Sequence, residues 1–137
     1  MRKGMLALLL VLLVESSGAA DDAIVVIAFP GLPKADLPTV QRLYTGRIVS
    51  INQQSAIPVN LPPGHPVRKQ FLETVLGQDE GHYTGYWLVR RYVGKGAPPL
   101  EVSDIDELIR VVQSTPGAVG YVPVSRLPRG ANVIWRR

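Results

Sequence analysis

Hydrophobic and polar positions along the chain alternate between two periodicities. Residues 23–28 form an unbroken apolar, largely β-branched run ended by Pro30 and Gly31, which predicts a strand buried on both faces. Asp36 is placed to cap a helix beginning at Leu37, with Pro38 tolerated in its first turn. Val40, Leu43 and Tyr44 give that helix one apolar face, and Gly46 marks its stop. Residues 47–52 and 56–61 are short Ile/Val-bearing segments around Gln53, Gln54 and Ser55, and predict a hairpin or two edge strands.

Pro62, Pro63, Gly64, His65 and Pro66 make a rigid turn into a second helix. Its apolar face is Val67, Phe71, Leu72, Val75 and Leu76, and Gly77 ends it. Asp79 starts a third helix that carries Tyr83, Tyr86 and Trp87 on one side. Gly94, Gly96, Pro98 and Pro99 then break the pattern into a mobile loop. Ser103 to Asp106 fit a capping box ahead of Ile105, Leu108, Ile109 and Val112 at helical spacing. Thr115, Pro116 and Gly117 turn the chain into a second apolar strand over 118–124, and 131–135 reads as a final strand or a docking arm. The order β, α, β, β, α, α, α, β predicts an α/β fold, a mixed β-sheet flanked by helices.

One apolar run does not belong to that fold. Arg2 and Lys3 precede apolar residues 5–14, and small residues 16–20 follow, the layout of a secretory signal peptide cleaved after Ala20. Ten apolar residues rise only about 15 Å as a helix, half of a bilayer core. The expected organisation is a signal at 1–20, one α/β domain at 21–125 and a basic tail at 126–137. The product is expected in the periplasm or secreted, with no transmembrane segment left.

Charge follows the same divisions. Of the formal net charge of +4, residues 1–20 carry +1, residues 21–125 carry −1 and the tail carries +4 through Arg126, Arg129, Arg136 and Arg137. A near-neutral body removes the reason to expect nucleic acid as a partner. The tail has the charge to touch anionic lipid or an acidic partner. The chain has no cysteine, so disulfides, thiolate metal sites and thiol nucleophiles are excluded.

Little of the remaining chemistry is catalytic. His65 and His82 stand 17 positions apart with no carboxylate at ligand spacing, so no metal is expected. Nucleophile-elbow, P-loop and dinucleotide motifs do not occur. Asp104, Asp106 and Glu107 crowd a helix start, where capping and the helix dipole account for them. No enzyme activity and no cofactor are expected. Residues 62–68 have the layout of an anion site, a glycine-bearing turn ending at a helix N-terminus with Arg68 and Lys69 beside it, although Pro66 removes one donor.

Three segments resemble the phosphate-binding proteins of ABC transporters, the PstS-like family with a type 2 periplasmic-binding protein fold. These are residues 24–32, residues 43–48 and, most specifically, Thr115-Pro116-Gly117-Ala118-Val119-Gly120-Tyr121-Val122. The resemblance runs from about 24 to 124, with Phe71 to Gly77 and the Trp87 helix in the expected order. It implies material for one of the two lobes that close on ligand, similar to the second. It also implies phosphate or another small oxyanion as ligand.

The family's loop after the strand containing Pro58 and Val59 reads Arg-x-x-Asp-Gly-Ser-Gly-Thr. Placing its first glycine on Gly64 puts Pro63 at the acid, His65 and Val67 at the hydroxyls, and Asn60 or Leu61 at the arginine. Arg68 is the one charge substitute. The candidate ligand-binding set is therefore Gly64, His65, Val67 and Arg68, binding weakly. A protein-interaction module of the cell envelope, meeting a partner or a second copy with no small ligand, is the other reading.

Overall fold

The computed structural model describes residues 22–137, so the proposed signal peptide lies outside the described residues. In chain order the elements are β1 (Ile24–Ala28), α1 (Leu37–Tyr44), β2 (Ser50–Ile51), β3 (Gln54–Ser55), β4 (Ile57–Asn60), α2 (Pro66–Phe71), α3 (Glu80–Tyr92), β5 (Leu100–Glu101), α4 (Ile105–Ser114), β6 (Ala118–Pro123) and β7 (Asn132–Arg136). A π-helical turn, Leu72–Leu76, extends α2, and a 3-10 turn, Val124–Arg126, follows β6.

Five strands form one mixed sheet in the order β5-β4-β6-β1-β7. β4 runs parallel to both β5 and β6, whereas β1 is antiparallel to β6 and β7. Every residue of β1 is buried, as its unbroken apolar run requires. Helices cover both faces. Adjacent strand residues point to opposite sides, and on β6 Gly120 lies under Leu108 and Val112 of α4 while Tyr121 stacks on Phe71 of α2 with ring centroids 3.9 Å apart. The fold is thus the α/β arrangement that the pattern predicts.

Three helix starts use aspartate caps, two at the positions read from sequence and the third, at α4, one residue beyond the Ser103 that begins the expected capping box. The side chains of Asp36, Asp79 and Asp104 accept from the backbone N–H groups of Thr39, His82 and Glu107. Glu107 completes the last cap by accepting from the Ser103 N–H at 2.8 Å.

The strands differ more from expectation. The hairpin is only β2 and β3, turning through Asn52 and Gln53 at φ 46° and 68°. Residues 57–60 leave it and enter the main sheet as β4, an interior strand, because Val59 is fully buried between two parallel neighbours. β5, at the end of the loop after α3, is not visible in the pattern. Residues 132–136, inside the segment that charge alone sets apart as a tail, form β7 and complete the sheet beside β1. Among the described residues no helix is long and apolar enough to cross a membrane.

Candidate functional site

Parallel strands β4 and β5 end side by side, with Asn60 paired to Glu101. From β4 the chain travels through α2 and α3 to β5 on one side, then through α4 to β6 on the other. That reversal of direction around β4 opens a crevice at the strand C-termini, the place where open α/β sheets bind ligands. A cleft of about 190 Å³ lies there. Pro63, Tyr83, Trp87, Leu88, Pro98 and Pro99 give it apolar walls, and Asn60, Arg68 and Glu101 give it polar corners.

Beneath the cleft runs a buried hydrogen-bond chain. The Tyr121 hydroxyl donates to Asn60 Oδ1 and accepts from the Leu61 N–H at 3.1 Å. Asn60 Nδ2 donates to the Tyr83 hydroxyl at 3.4 Å, which donates in turn to the Tyr44 carbonyl at 2.9 Å. Burial pushes the Tyr83 phenol up to about 12 and raises those of Tyr44 and Tyr121 as well. All three hydroxyls stay neutral donors at any physiological pH.

Arg68 is part of this interior. Its side chain is 6% exposed. Nε donates to Glu80 Oε2 at 3.1 Å and Nη2 lies 2.9 Å from Glu80 Oε1, a two-pronged pair linking α2 to α3. Nη1 donates to the Leu61 carbonyl at 2.9 Å, with Glu101 at 3.9 Å. The guanidinium also lies over the Tyr83 ring, 5.4 Å from its centroid. Most of its donor capacity is consumed within the protein.

The 62–68 turn distributes the four candidate ligand residues unevenly. Gly64 and Arg68 line a common hollow of about 350 Å³ together with Lys69, Glu73, Asp79, Glu80 and Gly81. Three carboxylates there oppose an anion. His65 turns inward, and its Nδ1 accepts from the Val67 N–H at 3.1 Å, capping α2. The His65 N–H is donated to Pro62 and the Lys69 N–H to His65. Val67 is half-buried against the core. The turn therefore keeps the shape of an anion site while several of its donors are already satisfied.

Residues that sequence reasoning did not assign shape the site most. Glu80 neutralises Arg68 from twelve positions away, on another helix. Tyr121 reaches Asn60 across the sheet from a segment that reads only as strand. Neither carries a local motif. Trp87, one wall of the cleft, and its neighbour Tyr86 are both tied to α1. The Trp87 indole donates to the Tyr44 carbonyl, the Tyr86 hydroxyl to that of Thr45, and Arg90 to that of Gly46. Together they cap the C-terminus of α1.

No family model matches the chain, and no curated protein sequence matches it significantly. Solved structures do match. Over 82% of this chain, an ABC-type phosphate transport receptor from Vibrio cholerae superposes with a TM-score of 0.62 at 16% identity. A phosphate ABC transporter substrate-binding protein from Clostridium perfringens, solved with phosphate bound, gives 0.64 at 18% identity over the same share. PstS from Borrelia burgdorferi gives 0.61 at 13% identity. The chain is built like half of a phosphate receptor. It spans 44 to 46% of the length of those chains. At such identities the likeness establishes the receptor-half fold, and this fold accounts for where the cleft lies.

Proposed function

We propose that the protein is a non-catalytic, solute-binding module of phosphate-receptor build, exported to the periplasm or cell exterior through residues 1–20. Its ligand is phosphate or another small oxyanion, taken weakly at the 62–68 turn. What supports this is the course of the turn, which leaves the C-terminal end of β4 and enters α2 at Pro66 beside Arg68. The same half-fold occurs in a receptor solved with phosphate. With Arg68 held by Glu80, contact falls to backbone N–H groups near Gly64 and to the guanidinium hydrogens that Glu80 and Leu61 leave over. A site without dedicated charged partners reaches about millimolar affinity, roughly 4 kcal/mol.

The test is an amide-resolved NMR titration with phosphate, sulfate and a chloride control. Saturable shifts of Gly64, Val67 and Arg68 in phosphate are expected, and Glu80→Gln, which loosens the guanidinium, should tighten binding. Unmoved amides at about 20 mM phosphate would overturn the reading. Committed Arg68 donors and the carboxylates of Glu73, Asp79 and Glu80 favour the second reading, an envelope protein-interaction module with no small ligand. Silent titrations combined with a stable complex on light scattering would establish that one.

A further inference from the structure

The end of α3 and the loop beyond it form an apolar, basic projection. Residues 91–98 are eight consecutive exposed positions. Leu88, Val89, Tyr92 and Val93 are 68, 62, 92 and 56% exposed. Helical spacing places Leu88 below Tyr92 and Val89 below Val93 in one stripe. Pro98 and Leu100 carry the apolar surface onward, Leu100 at 51% exposure.

Tyr92 is almost wholly in water, which no demand of the fold explains. Arg91 and Lys95 stand within the stripe, and among the described residues neither lies in a salt bridge. No acidic residue occurs from 81 to 100. The projection is also held in shape. Arg90 donates to the carbonyls of Gly46 and Lys95 at 3.1 Å each, while its guanidinium lies over Tyr86 and Trp87.

We propose that this projection docks on an anionic lipid bilayer, with Leu88, Val89, Tyr92 and Val93 entering the interface and Arg91 and Lys95 meeting lipid phosphates. Three properties select a membrane. Aliphatic residues, an exposed tyrosine and unpaired cations are the chemistry of interfacial anchoring. The surface projects, and a bilayer accepts a projection without a shaped counterpart. A second copy would bring a cation cluster with no acid against its own like. Leu88, Arg91 and Pro98 also border the cleft, so the docked bilayer would lie along its rim, whereas Gly64 of the 62–68 turn lines a separate hollow.

The absence of cysteine allows a position-specific test in the full chain. A polarity-sensitive dye is attached to Tyr92→Cys and, in a separate protein, to Gln54→Cys, which is exposed on the hairpin before β4. Each is titrated with vesicles of phosphatidylglycerol and phosphatidylcholine, and with phosphatidylcholine alone. The dye at 92 should shift to the blue with the anionic vesicles only, and the shift should reverse between about 0.05 and 0.5 M salt. The dye at 54 should not respond. Adding Arg91→Glu and Lys95→Glu should raise the lipid needed for half-response at least about tenfold. Two results overturn the proposal. One is a dye at 92 that stays water-like, or that shifts no more than the dye at 54, which would place membrane contact elsewhere in the chain. The other is a shift at 92 without lipid that grows with protein concentration, which would assign the projection to a second copy.

Discussion

The Tyr83 hydroxyl donates to the Tyr44 carbonyl at 2.9 Å, so the third helix closes the open end of the first. The same hydroxyl accepts from Asn60, tying that cap to the base of the cleft. Tyr83→Phe removes both contacts while keeping the ring. Trp87 still reaches the Tyr44 carbonyl at 3.3 Å, which limits the loss. Chemical denaturation should show a decrease of about 1–2 kcal/mol with the m-value unchanged.

Gly46 lies where α1 ends, against the Trp87 ring. A Cβ added there would sit 2.5 Å from Cη2, and φ is +71°. Gly130 shares the backbone condition at φ +76° but has open space around it. Gly130→Ala should cost about 1 kcal/mol from the left-handed backbone alone. Gly46→Ala should cost about 2–3 kcal/mol, the excess being displacement of the indole. Equal losses in the two variants would mean that the Trp87 contact carries no stability.

Arg68 and Glu80 are unequally exposed, their side chains at 6 and 36%. The penalty of breaking the pair depends on which charge is left behind. Glu80→Ala strands a buried guanidinium and should cost about 3 kcal/mol. Arg68→Met leaves a carboxylate that water can reach and should cost about 1–2 kcal/mol. The double variant should lose less than the sum of the two, and strict additivity in the denaturation cycle would show that the pair is not coupled.

Acid should loosen the helix starts. Hydrogen bonds from Thr39, His82 and Ser103 hold the carboxyls of Asp36, Asp79 and Glu107 below their ordinary values of 3.8, 3.8 and 4.5. Lowered folded values mean that this stabilisation is complete above those pH values and disappears as pH falls through the depressed ones. The melting temperature should therefore drop between about pH 5 and 2, and less steeply in Asp36→Asn with Asp79→Asn, since asparagine caps without titrating.

Alkali acts through the tyrosines in the opposite sense. Their raised values mean that stability is present below the ordinary value of 10.0 and is lost as pH rises towards about 12, where Tyr83 ionises in the folded state. Absorbance of phenolate should show Tyr44, Tyr83 and Tyr121 ionising together with unfolding rather than before it.

What the sequence displays is what neighbours in the chain decide. Asp36 and Asp79 bond to N–H groups three residues on and are legible from spacing, and the Asp104 cap is legible to within one residue. Gly77 likewise ends its helix in the left-handed conformation. Distant pairing is not legible. β5 is two residues following Pro98 and Pro99, and it is a strand only because β4 supplies its ladder. β7 is undecided until β1 is known to lie beside it. Arg68 has the look of a free cation at a helix start, since nothing in its own turn announces Glu80. The 62–68 turn is legible from its own glycine and prolines, and the charges around it depend on α3, which sequence does not place.

The position of β1 has a consequence for how the chain matures. Its two partners, β6 and β7, come last among the described strands, roughly a hundred residues after it. Pairing over such separations must first overcome the entropy of closing a long loop, which slows folding. Until residues 118–136 exist, β1, which is buried at every position, has no strand to pair with. A nascent chain ordered in this way leaves the apolar run of β1 uncovered through most of its synthesis, and the β6-β1-β7 part of its sheet closes only after residues 118–136 have been made.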